Sequence, residues 1–239
     1  MTVADAIRQV KIRMQELTPF GEWLAKTNPA AGGDPIPVTN GLLVLRPTRE
    51  EKPIEDYIRE MLPDALMLLI GLVPDEYLES KTDSAAKASV VKKPQDGSGY
   101  ITLPADYFRL KRFKMFGWER PVMTTIDENS PEYSLQSNEY LRGGVSRPVC
   151  AVRKYGGNVN RLEYYSLPKF FEEHVVEEFI YIPKPNISVL STSFALDTRL
   201  ELPLVYVCAS LVYKVYEKQE QADVMMQTAL AHIKTLTNN

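Results

Sequence analysis

The chain has 239 residues, of which 44% are hydrophobic and 25% charged. That composition supports a packed core, as one large domain or two small ones, and excludes a disordered or fibrous chain. A net charge of -3 at pH 7 and a pI near 5.6 exclude any global attraction to nucleic acid or anionic membrane, so a DNA contact has to be local.

Residues 1–17 begin the chain with Val3, Ile7, Val10, Met14 and Leu17 at spacings of four and three, which predicts a helix with one apolar stripe starting near Thr2. Asp5, Arg8, Lys11, Arg13 and Glu16 interrupt the run, so it lacks the continuous apolar centre of an export signal and secretion is not expected. From 28 to 47 the chain turns to Pro29, Gly32, Gly33, Pro35, Pro37, Gly41 and Pro47. A long loop is expected there, with a short strand at 42–45, and loops of that length are commonly functional. Pro35, Pro37, Leu43 and Leu45 are its candidate partner contacts.

Residues 54–70 carry the clearest helical pattern, with Ile54, Ile58, Leu62, Ala65, Leu66 and Leu69 on one face and Glu55, Asp56, Arg59 and Asp64 opposite. Pro63 is expected to kink or split this helix, and Gly71 with Pro74 to end it. The longest apolar cluster, 65–73, is too short to span a bilayer. Between about 87 and 185 the period falls to two, marking the β portion. Along 107–118 the phase slips from even residues (Phe108, Leu110) to odd ones (Phe113, Met115), which a bulge near Lys111 and Arg112 explains. Residues 147–155 and 161–166 flank a Gly-rich loop and predict a hairpin, and 175–182 supplies another strand.

Two helices then close the chain, one apolar nearly all round at 204–215 and one amphipathic at 222–236. The expected fold is α+β: a helical bundle from the N- and C-terminal helices with an inserted antiparallel β region. The boundaries are 1–80 for the N-terminal helices and loop, 81–196 for the inserted β region, and 197–239 for a helical hairpin packing back on the first helices.

No constellation in this sequence carries catalysis. His174 and His232 lack His, Cys or carboxylate neighbours at metal-ligand spacing and are expected to be surface or structural. Gly32-Gly33, Gly143-Gly144 and Gly156-Gly157 read as turns rather than phosphate loops. Cys150 and Cys208 each lie in an apolar run, so they are expected as core thiols of a chain assembled in a reducing cytoplasm. Glu172, Glu173, Glu177 and Glu178 fit a solvated strand face better than a carboxylate pair. The chain is expected to have no enzyme activity, no cofactor and no metal. Lys111, Arg112 and Lys114, interleaved with Phe113, Phe116 and Trp118, have the composition of a nucleic-acid surface, although a bent strand with a polar outer face accounts for them better. Phe116, Trp118 and Arg120 also suit a protein-partner anchor, since Trp and Arg dominate such contacts.

The segment Tyr100-Ile101-Thr102-Leu103-Pro104-Ala105-Asp106-Tyr107-Phe108-Arg109-Leu110, followed by Gly117-Trp118 and Arg120-Pro121-Val122, resembles a pattern of head-to-tail adaptor proteins of tailed bacteriophages. The order of helices, sheet, Ser130-Pro131-Glu132-Tyr133, Arg147-Pro148-Val149 and terminal helices extends the likeness over 50–239. It looks closest to ring proteins of crAss-like phages. The resemblance implies a structural virion protein, assembled in the host cytoplasm, in a twelve-subunit ring at the portal-proximal end of the tail. Its implied partners are copies of itself, the portal protein and an adjacent tail or ring protein; it would enclose genomic DNA without reading sequence and touch no membrane.

Overall fold

A computed structural model describes residues 1–17, 53–138, 140–155, 159–187 and 191–237. The candidate contacts Pro35, Pro37, Leu43 and Leu45 and the short strand expected at 42–45 lie outside them. The fold is mixed α+β, with six α-helices and two sheets among the described residues. The chain divides into two compact units, residues 1–74 together with 185–239, and residues 75–184.

The first unit is helical: α1 (Val3–Leu17), α2 (Ile54–Leu72), α5 (Thr198–Val215) and α6 (Gln219–Thr237). Thr2 caps α1, its hydroxyl accepting from the Asp5 N–H at 3.1 Å, and Asp197 caps α5 through the Arg199 N–H at 2.9 Å. α5 packs against α1, α2 and α6, which explains why it is apolar nearly all round: Leu204, Val205, Val207, Cys208 and Val212 are fully buried. Two polar groups within this core bind backbone carbonyls of neighbouring helices. Tyr213 donates to the Met14 carbonyl at 2.7 Å and Ser210 to that of Ala222 at 2.8 Å. Lys11 on α1 pairs with Glu55 on α2.

Pro63 neither splits nor ends α2, which runs without interruption from Ile54 to Leu72. Its side chain is only half-buried, and the burial of Ile58, Leu62, Ala65, Leu66 and Leu69 along one face holds the segment helical across the missing N–H. Gly71 stays inside the last turn. The stop comes at Val73, extended at φ -88° and ψ 142° as a residue preceding proline prefers.

The second unit holds β1 (Lys81–Thr82), α3 (Ser84–Ala88), β2 (Val91–Lys93), β3 (Ser98–Thr102), β4 (Tyr107–Met115), β5 (Ile126–Asp127), α4 (Pro131–Leu135), β6 (Cys150–Tyr155), β7 (Val159–Tyr164) and β8 (Val176–Pro183). One sheet has the order β1-β8-β4 and the other β2-β3-β7-β6-β5. All pairings are antiparallel except β5 with β6, so the region is not purely antiparallel as expected. The 150–155 and 159–164 strands form the expected hairpin. The two short helices were not legible as periodicity because each is five residues long; their signals are caps, Asp83 on the Ala85 and Ala86 N–H groups and Ser130 on Tyr133.

β4 carries its phase slip at three register shifts, between 107 and 109, 110 and 112, and 114 and 115. The core face is therefore Tyr107, Leu110, Phe113 and Met115, spaced three, three and two, and Tyr107 rather than Phe108 is buried. These side chains join Ile101, Leu162 and Tyr164 of the larger sheet and Phe179 and Tyr181 of β8 in one aromatic-rich core.

Candidate partner surface of the β unit

Leu103-Pro104-Ala105-Asp106 makes the corner between β3 and β4. Pro104 carries no N–H to continue the ladder, and its carbonyl accepts from Tyr107 at 3.0 Å, closing the turn. The Asp106 carboxylate accepts from the Tyr181 hydroxyl at 2.9 Å and from Lys81 at 3.2 Å. Partial burial pulls its pKa upward, but the hydrogen bonds from Tyr181 and Lys81 outweigh it and hold the carboxyl below its usual range. The corner is tied to β8 and β1.

The basic-aromatic segment does not form an open cationic strip. Arg112 pairs with Glu178 at 2.5 Å and Lys114 with Glu177 at 2.7 Å across the β4–β8 ladder, and Lys111 donates to the Asp75 carbonyl at 3.1 Å. Two of the four glutamates that the sequence presents as a solvated strand face, Glu177 and Glu178, are the partners of Lys114 and Arg112. Trp118 is 3% exposed, and its ring packs edge-on against Phe113 at 5.6 Å and Tyr164 at 6.5 Å. As an anchor for a partner Trp118 is therefore misassigned: its apolar area is already spent on the core of its own unit. Phe116 and Arg120 are exposed.

Phe116 belongs to a surface cluster that the sequence does not reveal. It stacks on Phe171, centroids 6.3 Å apart and planes at 20°, and its N–H donates to the Val175 carbonyl at 2.8 Å. Phe116 is 43% exposed, Val175 is exposed, and Phe170 is 75% exposed. Phe170 sits at φ 60°, a left-handed conformation that a bulky residue adopts only under constraint. That constraint is a 2.7 Å hydrogen bond from its N–H to the Pro94 carbonyl, in the β2–β3 turn. Gly97 in that turn has φ +64°, and a Cβ there would lie 2.0 Å from the Leu167 carbonyl oxygen, so only glycine lets the 167–170 segment approach. The result is an aromatic knob, Phe170, beside a stacked pair, with charged residues Lys169, Glu172 and Glu173 at its rim. A polar-rimmed aromatic cluster is the composition of a protein contact.

Under this cluster lies His174, 4% exposed, whose Nδ1 is 2.7 Å from the Tyr164 hydroxyl. Burial lowers its pKa, the Phe171 backbone works in the opposite direction and the Lys92 ammonium adds to the lowering. His174 is thus structural. His232 stacks on Tyr206 at 5.5 Å in the helical unit. Cys150 and Cys208 are buried free thiols whose pKa values burial raises, Cys208 to about 12.

Among the described residues no group of three or more His, Cys, Asp or Glu side chains is placed to hold a metal ion, and no helix is long and apolar enough to cross a membrane. No protein-family model matches the chain, and no curated protein matches it at significant similarity.

Proposed function

We propose that this chain is a structural subunit of a tailed-phage particle, forming an oligomeric ring that joins the portal to the tail around the DNA channel. The observation that carries the reading is the aromatic surface of Phe116, Phe170, Phe171 and Val175, where a strained Phe170 is held outward instead of folding onto the core. It joins the resemblance of 100–122 to head-to-tail adaptors, in which the Leu-Pro-x-Asp corner recurs; here that corner is a hydrogen-bonded junction of three strands. In this reading the helices form a bundle that serves as the rigid wedge of each subunit, and the β unit presents the contact surface. A ring requires such head-to-tail contacts, in which two different patches of each copy meet.

The nucleic-acid alternative centred on 111–118 loses ground to this reading because Arg112 and Lys114 pair with carboxylates, Lys111 donates to a backbone carbonyl and the tryptophan is enclosed. The deciding experiment is native mass spectrometry of the purified chain, alone and with the portal protein of the same genome. The expected result is a discrete closed oligomer, formed alone or on the portal, that Phe116→Ser with Phe170→Ser weakens at least tenfold, the effect of losing about 1.4 kcal/mol at each contact. A chain that remains monomeric and indifferent to the portal overturns the proposal, and salt-sensitive DNA binding abolished by Lys111→Ala with Arg112→Ala moves the assignment to nucleic acid.

A further inference from the structure

We infer that His174 is an acid-sensitive latch for the aromatic surface: proton uptake by its imidazole releases residues 168–175 and withdraws Phe170, Phe171 and Val175 from the arrangement that a partner meets. The part of this inference that concerns partners rests on the proposed function; the latch itself rests on local geometry.

His174 is enclosed at the root of the segment that carries the aromatic knob. Its Nδ1 is engaged by the Tyr164 hydroxyl of β7 at 2.7 Å, and its Nε2 is buried without a hydrogen-bond partner among the described residues. In a neutral ring one nitrogen accepts and the other donates; after protonation both donate. The Tyr164 oxygen can turn to accept from Nδ1–H. Nε2 has no hydrogen-bond partner among the described residues in the closed arrangement, and the Phe171 backbone, which favours the protonated ring, offsets only part of the cost of burial, so the added charge is incompletely solvated.

The charged and titratable groups around the ring do not offset this. Tyr164 is neutral, and burial drives its pKa upward. Lys92 of β2 donates to the Glu172 carbonyl at 3.0 Å and brings a second positive charge toward the ring. Glu172 and Glu173, on the segment itself, are exposed and solvent-screened. Relief comes when His174 swings out to water.

The segment is held by the Phe170 N–H on Pro94 O at 2.7 Å, the Phe116 N–H on Val175 O at 2.8 Å, the Lys92 contact, the Phe116–Phe171 stack and the Tyr164–His174 bond itself, and Phe170 releases left-handed strain on leaving. The sign follows from linkage. The folded pKa of His174 lies below its ordinary value of 6.5, so the open form binds the proton more readily, and closure is fully favoured above pH 6.5 and weakens as pH falls toward the folded value. One proton limits the effect to about tenfold in the open population per pH unit.

The test is amide hydrogen exchange of the intact chain from pH 7.5 to pH 5, corrected for intrinsic rates and read at Phe116, Phe170 and Val175. The expected result is protection that falls several-fold per pH unit below 6.5 in the wild type and stays flat in His174→Gln, with Glu172→Gln and Glu173→Gln behaving as wild type. Flat wild-type protection, or an equal fall in His174→Gln, overturns the latch. An NMR titration of the His174 imidazole in the wild type serves if the variant does not fold: a midpoint below 6.5 supports the latch, and an ordinary one overturns it. Oligomer mass measured at the same pH values separates the two ideas. Loss of protection with unchanged assembly leaves the latch standing and removes the aromatic surface from the ring contact.

Discussion

Phe170 and Trp118 show how one residue class divides between core and surface. Trp118→Ala removes a ring packed on Phe113 and Tyr164 and is expected to lower stability by about 3–5 kcal/mol in denaturant unfolding. Phe170→Asn should behave differently. Asparagine tolerates the left-handed region, where a bulky residue carries about 1–2 kcal/mol of strain, so thermal unfolding should show unchanged or raised stability while assembly in native mass spectrometry declines. A substantial loss of stability would show instead that Phe170 is part of the fold. At the β3–β4 corner, Tyr181→Phe should cost about 1 kcal/mol by removing the hydroxyl that binds Asp106. The carboxyl of Asp106 sits below its ordinary pKa near 3.8, so the unfolded chain takes up the proton first. The stability deficit of Asp106→Asn is therefore expected at neutral pH and should shrink as pH falls below about 4, as urea unfolding at pH 7 and pH 3 would record.

The helices and strands respond to substitution according to what overrides their local preferences. α2 keeps a proline in its tenth position because one buried face compensates for the lost bond to residue 59. Pro63→Ala restores that bond, and a gain of about 1–3 kcal/mol is expected in thermal or denaturant unfolding, with helix content unchanged by circular dichroism. β4 carries three register shifts within nine residues, with Tyr107 turned inward and Arg112 and Lys114 within ion-pair reach of Glu178 and Glu177 on β8. The helix and strand periods were legible in sequence here, since 54–70 and 101–115 show them openly. The face on which Tyr107 and Phe108 lie was not, because the added bulge next to residue 107 leaves no mark in the alternation itself.

At the scale of the molecule, the chain builds a helical unit from both ends of the sequence and a β unit from its middle, residues 75–184. The β unit holds its aromatic surface on two loops, 116–117 and 168–175, that come together through β8 and the β2–β3 turn. Surfaces assembled from segments over fifty residues apart can be tuned by any of their supports. Gly97→Ala, at the point where the turn meets the Leu167 backbone, should therefore reduce assembly without altering any surface residue, and sedimentation velocity beside the wild type would record it.

Sequence alone determined the elements whose signals are local and repeated: the apolar stripes of the long helices, the 150–164 hairpin, the bulged strand and the buried thiols. Periodicity and turn chemistry act within a few residues, and a linear reading captures them. Tertiary structure decided everything that depends on distant neighbours. It enclosed Trp118 between Phe113 and Tyr164, matched the cations of β4 with the carboxylates of β8, and held Phe170 outward on the Pro94 carbonyl. Exposure and charge balance are properties of packed neighbours, which strand pairing brings together from far along the chain.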